Sequence, residues 1–93
     1  MQRCPSTVVT GDTTLKAKAG LVYWITISNT HADEAAEIEI QDGASTDRWA
    51  AVVEAIDFKL LPFHANFDPP IECLTDIRID ITNGTVKAVV GFI

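Results

Sequence analysis

Several things are scarce in this chain of 93 residues, and each scarcity excludes something. It has two cysteines, Cys4 and Cys73, too few for a disulfide framework and without the neighbouring His/Cys spacing of a zinc site. A bridge between them is not expected in a reducing compartment. Bases are few: seven Lys and Arg stand against thirteen Asp and Glu, a formal charge of −6. That balance argues against a nucleic-acid partner, whose backbone is bound through Lys and Arg. No apolar run approaches the ~20 residues that span a bilayer, so no membrane partner is expected. The first residues, MQRCPSTVV, lack the apolar core of a secretory signal. Synthesis in the cytoplasm is the corresponding expectation. Catalytic signatures are missing too: there is no GxSxG elbow, Walker loop, HExxH or CxxC. Without a nucleophile, base and orienting group the chain reads as no enzyme, and neither a cofactor nor a metal is expected.

What the chain does have is alternation. An apolar fraction of 47% suits one globular core. Residues 1–6 read as an N-terminal arm or run-in, and 7–93 as one β-sandwich domain. Residues 7–10 (TVVT) are β-branched, and Gly11-Asp12 signals a turn. Leu15, Ala17 and Ala19 alternate with Lys16 and Lys18, as in an edge strand guarded by lysine. In residues 21–29 one parity holds Leu21, Tyr23, Ile25 and Ile27. The other holds Val22 and Trp24, which places Trp24 away from the core, either under a loop or as an interface anchor. Ile38 and Ile40 alternate with Glu37, Glu39 and Gln41.

Residues 46–57 carry two patterns. Trp49, Val52, Val53 and Ile56 fall at helical spacing behind Asp47 as N-cap. The all-β surroundings instead favour a doubly buried strand, and strand is the reading adopted. In residues 58–67 the apolar parity switches at Leu61-Pro62, which predicts a bulge or break. His64 falls opposite Phe63 and Ala65, half-exposed. Asp68-Pro69-Pro70 predicts a rigid corner. Ile77, Ile79 and Ile81 then alternate up to Asn83-Gly84, a hairpin signal, and Val86, Ala88, Val90 and Phe92 resume the pattern. Strands at such spacing indicate a single small antiparallel β-sandwich, all-β and jelly-roll-like, with about 7–8 strands.

Candidate sites are weak on residues alone. His31 beside Asp33 and Glu34 could hold a metal, although one His on a turn-rich loop is more simply solvated. Asp68 could share a cation with Asp42 or Asp76, or accept local backbone hydrogen bonds. A sugar groove could be built from Tyr23, Trp24, Trp49 and Phe63, most of which are more simply core.

Four segments carry a resemblance: TTLKAKAG (13–20), AGLVYWITISNT (19–30), IEIQDGAS (38–45) and FDPPIECLTDIRIDITNGTVKAVVGFI (67–93). Their order is a strand after glycine, a DG turn, an F-x-P-P-I corner, an alternating strand, an N-G-T turn and a closing V-V-G-F strand. This resembles small β-sandwich proteins encoded among the structural genes of tailed bacteriophages, the capsid decoration (cement) and minor virion proteins. Residues 46–62 fit that pattern poorly. The resemblance implies a non-enzymatic virion protein on the outer capsid surface, partnered by the major capsid protein and assembled as a homo-oligomer, commonly a trimer. Contacts would then come from Gln2, Arg3, Pro5, Trp24, His31, Trp49 and Asp68. A tail, neck or fibre-base component is the alternative within that class. A small carbohydrate-binding β-sandwich module is the alternative outside it.

Overall fold

The computed structural model describes residues 6–43, 46–55 and 62–93. Among them are eight strands and no helix. In chain order these are β1 (Ser6–Val9), β2 (Thr13–Lys16), β3 (Gly20–Asn29), β4 (Ala36–Asp42), β5 (Thr46–Val53), β6 (Phe63–Cys73), β7 (Ile77–Thr82) and β8 (Val86–Phe92). They form two four-stranded antiparallel sheets, ordered β1-β8-β3-β6 (sheet A) and β2-β7-β4-β5 (sheet B). Facing sheets with this order are the two Greek keys of a jelly roll, so the expected fold class holds.

The core is what the alternation predicts. Ile38 and Ile40 from β4, Ile77 and Ile79 from β7, and Val86, Ala88 and Val90 from β8 are buried, together with Val22, Ile25 and Ile27 from β3. Each large aliphatic side chain so buried stabilises the fold by about 1.5–3 kcal/mol.

Five expectations are corrected. First, β7 and β8 do not form a hairpin. Asn83 and Gly84 do adopt positive φ, 63° and 72°, and the chain does reverse there. But β7 lies in sheet B and β8 in sheet A, so the turn is an arch from one sheet to the other. The ladders of these strands go instead to β4 and β2, and to β1 and β3. Second, the faces of β3 are not strictly alternate. Its register to both neighbours shifts between Val22 and Trp24, and this bulge at Tyr23 returns Val22 to the core beside Ile25 and Ile27. Third, the rigid corner expected at residues 68–70 is a bulge within one strand rather than a turn between two. β6 is continuous from Phe63 to Cys73, but its register against β3 jumps from Asn66, opposite Trp24, to Ile71, opposite Val22, so residues 67–70, with Asp68-Pro69 as a cis peptide, leave the ladder as a bulge. Pro69 and Pro70, which cannot donate to a ladder, sit in this unpaired bulge of an edge strand. Fourth, β2 ends at Lys16, short of Ala17 and Ala19, although it is the edge strand that its lysines suggested.

Fifth, residues 46–53 are strand but not buried on both faces: β5 is an edge strand with Trp49 half-buried and Val53 buried on the inner side and Val52 exposed on the outer. The expected fault at Leu61-Pro62 and the Cys4 thiol lie outside the described residues, apart from Pro62, which immediately precedes β6.

Candidate functional site

Strand order decides which residues meet. On the outer face of sheet A the registers align Ser6, Gly91, Trp24 and Asn66 in one row. Val8, Val89, Thr26 and His64 form the next. Trp24 thus points away from the core, as its parity predicted. Its indole lies on the backbone of Gly91, where an added Cβ would collide with the ring. A glycine is therefore required there by close approach. The imidazole of His64 sits alongside, ring centroids 6.2 Å apart and planes tilted by 31°. Thr26 Oγ1 is 2.6 Å from His64 Nδ1, and His64 Nε2 is 3.1 Å from Asn66 Oδ1. With the amide oxygen accepting from Nε2–H, Nδ1 accepts from the Thr26 hydroxyl, which leaves the Asn66 amide nitrogen facing outward.

One end of the sandwich is organised by Asp42, the last residue of β4. It is 6% exposed. Its carboxylate accepts from the Leu74 and Thr75 backbone N–H groups at 2.8 and 2.7 Å, and from Arg48 Nη2 at 2.9 Å. These donors hold its carboxyl well below the usual carboxylate range, the backbone N–H groups of Leu74 and Thr75 foremost. Asp76 answers from the opposite side, accepting from Gly43 N–H at 2.8 Å and Arg78 Nε at 2.8 Å. Its carboxyl is lowered too, chiefly by Arg78 and then by Gly43. The turn from β6 to β7 is therefore pinned at its base, and Leu74 stands out from it 65% exposed. Ala19, Gly20, Leu21, Glu72 and Cys73 lie around the hollow beside it. Cys73 itself is buried, and burial pushes its thiol up, which makes it a poor nucleophile.

The other end is organised by Asn29, at the end of β3 and also buried. Its Nδ2 donates to Glu34 O at 2.8 Å and Val53 O at 3.1 Å. Its Oδ1 accepts from His31 N–H and Thr85 N–H, both at 3.1 Å. All four hydrogen-bonding positions of one amide are thus filled, joining the loop after β3, the end of β5 and the arch after β7. His31 belongs to this scaffold. Its Nδ1 accepts from the Asp33 and Glu34 backbone N–H groups at 3.3 and 3.1 Å. With that lone pair engaged, the 3.2 Å approach of Asp33 Oδ1 to Nδ1 is not an ion pair while the ring is neutral. Glu34 is drawn off to Gly84 N–H, at 2.9 Å. No cluster of three or more His, Cys, Asp or Glu among the described residues is arranged to hold a metal ion.

The outer face of sheet B is acidic. Glu39 of β4 lies opposite Asp80 of β7, with Glu37 on the same strand and Asp47 on β5. Its carboxyl is pushed up to about 7, first by a hydrogen bond shared with Asp47, then by burial and the charges of Asp47, Asp80 and Glu37. Asp47 is lowered in return, by Glu39 and by Gln41 Nε2, which donates to it at 3.0 Å. Asp12 and Asp80 form a similar pair, Asp80 raised and Asp12 lowered. Such a raised carboxyl binds its proton more tightly in the folded chain than in the unfolded one. Below the ordinary Glu value of about 4.3 both states are protonated and nothing is lost. As pH rises from there through 7 the unfolded state gives up its proton first, and folded stability falls. Glu39→Gln keeps a donor for Asp47 and removes the charge. It should melt higher than the parent at pH 8 and alike at pH 4, a comparison made by thermal denaturation across pH. Equal melting temperatures at pH 8 would show that Glu39 bears no such load.

The expected contact residues are not brought together. Trp24 lies on the outer face of sheet A, and His31 is at the Asn29 end. Asp68 is exposed on edge strand β6. Trp49 faces inward between the edge strands, 6.0 Å from Phe63 and edge-on to Phe67 at 5.4 Å. Gln2, Arg3 and Pro5 lie outside the described residues, upstream of Ser6 in the Trp24 row. Sequence reasoning missed Asn29, Leu74 and the full role of Asp42. Asn29 and Asp42 fall at strand ends, where Asn and Asp are ordinary turn residues. No local signal separates a buried hub from them.

No family model matches the chain, and no curated protein or solved structure matches it either.

Proposed function

We propose that the chain is a non-enzymatic virion structural protein, a decoration protein that binds the outside of a major capsid lattice as a trimer and stabilises it. The observation that carries the reading is the turn at Leu74. An apolar side chain held out on a turn whose N–H groups are already fixed by Asp42 loses little conformational freedom when it docks. The four segments that resemble phage decoration proteins support the same reading. So does the architecture, since jelly rolls serve among viral capsid and lectin domains, although a fold does not by itself assign a role. The protein would be made in the host cytoplasm and reside on the capsid surface, with Leu74, Leu21 and Ala19 toward the shell.

The test is co-sedimentation with shells assembled from the major capsid gene adjacent to its own. Saturable binding that raises the temperature at which the shell disrupts is expected. Leu74→Asp should weaken binding at least tenfold, about 1.4 kcal/mol, with the melting temperature of the isolated protein unchanged within about 2 °C. Absence of capsid and portal genes nearby would overturn the reading, as would binding only to tail or neck assemblies.

A further inference from the structure

We propose that the outer face of sheet A is a binding site for a neutral oligosaccharide, stacked on Trp24 and hydrogen-bonded by Asn66. The inference goes beyond shell binding and rests on different residues at a different place in the fold.

The first observation is the posture of Trp24. One face of its indole is seated on Gly91, the His64 ring lies beside it, and the half-buried side chain stands on the outer side of the sheet. An outward tryptophan laid on a sheet offers an apolar surface. The apolar C–H face of a pyranose is the complement of such a surface, combining burial of apolar area with attraction between C–H groups and the ring.

The second observation is the polar rack. Thr26, His64 and Asn66 are joined by hydrogen bonds of 2.6 and 3.1 Å, which fixes their rotamers before any ligand arrives. The chain of donors ends at the Asn66 amide nitrogen, which has no partner among the described residues. The indole N–H of Trp24 finds none there either. Hydroxyl groups around a sugar ring both donate and accept, so they suit a site that presents amide and indole donors beside a hydroxyl and an amide oxygen.

The third is charge. The two rows, Ser6-Gly91-Trp24-Asn66 and Val8-Val89-Thr26-His64, carry no formal charge at neutral pH with the imidazole neutral. The protein as a whole carries −6, and the outer face of sheet B gathers Glu37, Glu39, Asp47 and Asp80. These two rows are uncharged, with Lys87 opposite Ser28 in the next row of the same face, so the Trp24 position favours an uncharged ligand. A polyanion such as nucleic acid, or an anionic glycan, would be repelled by the net charge and would find no cluster of basic residues in these rows.

A site on one face of a sheet covers one side of its ligand only, so single-site binding should be weak, roughly millimolar, and should gain from multivalent display. The experiment uses the full chain in a Trp49→Phe background, which leaves Trp24 as the one indole reporter. A panel of neutral hexose and N-acetylhexosamine oligosaccharides, with sialylated and sulfated counterparts, is screened by array and then by titration of tryptophan fluorescence. The expected result is binding of at least one neutral oligosaccharide that shifts the Trp24 emission. Asn66→Ala should weaken it about tenfold with an unchanged melting temperature, and Trp24→Ala should abolish it. The proposal is overturned if no oligosaccharide binds, if only anionic ones do, or if binding leaves Trp24 emission unmoved and survives Asn66→Ala. Shell binding by a protein that ignores every sugar would overturn this inference and leave the decoration reading standing.

Discussion

Asn29→Ala should lower the melting temperature by about 10–20 °C. The Asn29 amide is the shared partner of two carbonyls and two N–H groups from three segments far apart in the chain. Alanine offers none of these bonds. Orphaning a buried polar group costs about 1–3 kcal/mol. Some of the groups here can reach water, which brings the expected loss to about 2–4 kcal/mol. For a domain of this size each kcal/mol is worth about 4–8 °C. Asn29→Asp is the sharper comparison. It keeps the acceptor for His31 and Thr85 but turns an acceptor toward the Glu34 and Val53 carbonyls. It should therefore be destabilised at neutral pH and partly recover in acid, where a protonated carboxyl can donate again. Circular dichroism melts at pH 7 and pH 4 decide the matter. An Asn29→Ala protein that melts within about 3 °C of the parent would show that the arch and the loop after β3 hold without their common partner.

Asp42→Ala should be comparably damaging, with a fall of about 10 °C or more, because the Leu74 and Thr75 N–H groups lose their acceptor in a turn that is otherwise shut off from regular pairing. Arg48→Ala should cost far less, since Arg48 is 38% exposed at its side chain and an ion pair so placed is screened. Acid provides the second readout. The Asp42 and Asp76 carboxyls are both lowered in the folded chain. A lowered carboxyl contributes its full stabilisation above the ordinary Asp value of about 3.9. That contribution is lost as pH falls from there through the folded values, where protons bind the unfolded chain first. The parent should therefore unfold progressively below about pH 4. Asp42→Asn should melt lower at pH 7 and show a shallower acid slope, with the remainder due to Asp76. An acid slope identical to the parent's would remove Asp42 from that role.

How much of this was legible in the sequence depends on how local the cause is. The alternation of Ile77 and Ile79, or of Ile38 and Ile40 between acids, states its own buried face, and those strands were readable. Trp24 was readable as outward for the same reason. Asn83-Gly84 was readable as a reversal, because positive φ is a local demand. Its partner strands were not readable, because the choice between hairpin and arch depends on which sheet has room for each strand. The bulge at Tyr23 was invisible, since a register shift is a negotiation with β6 and β8 that β3 alone does not record. Residues 46–53 satisfied helical and extended patterns alike, and tertiary pairing with β4 chose between them. Pro69 and Pro70 were readable as an interruption, and pairing with β3 does lapse over residues 67–70; that the strand resumes beyond them at Ile71 was not readable. The site fared worse than the fold. The Trp24 platform needs Gly91, His64 and Asn66 from two other strands, and the anchoring of Leu74 needs a carboxylate 32 residues upstream.

The arch at Asn83-Gly84 also bears on how the molecule comes into being. Of the connections along the chain, only that between β4 and β5 joins strands that pair with each other; every other one crosses between the sheets. Almost no pairing can form early from sequence neighbours, so loop-closure entropy must be met before the contacts that reward it, and folding belongs to the slow, millisecond-to-second class. β8 sits inside sheet A, between β1 and β3. During synthesis β1 therefore has no strand to pair with, and β3 keeps an open flank, until residues 86–92 have left the ribosome. For that interval the nascent chain is an unpaired edge exposed to others like it, and its yield should depend on how crowded those neighbours are.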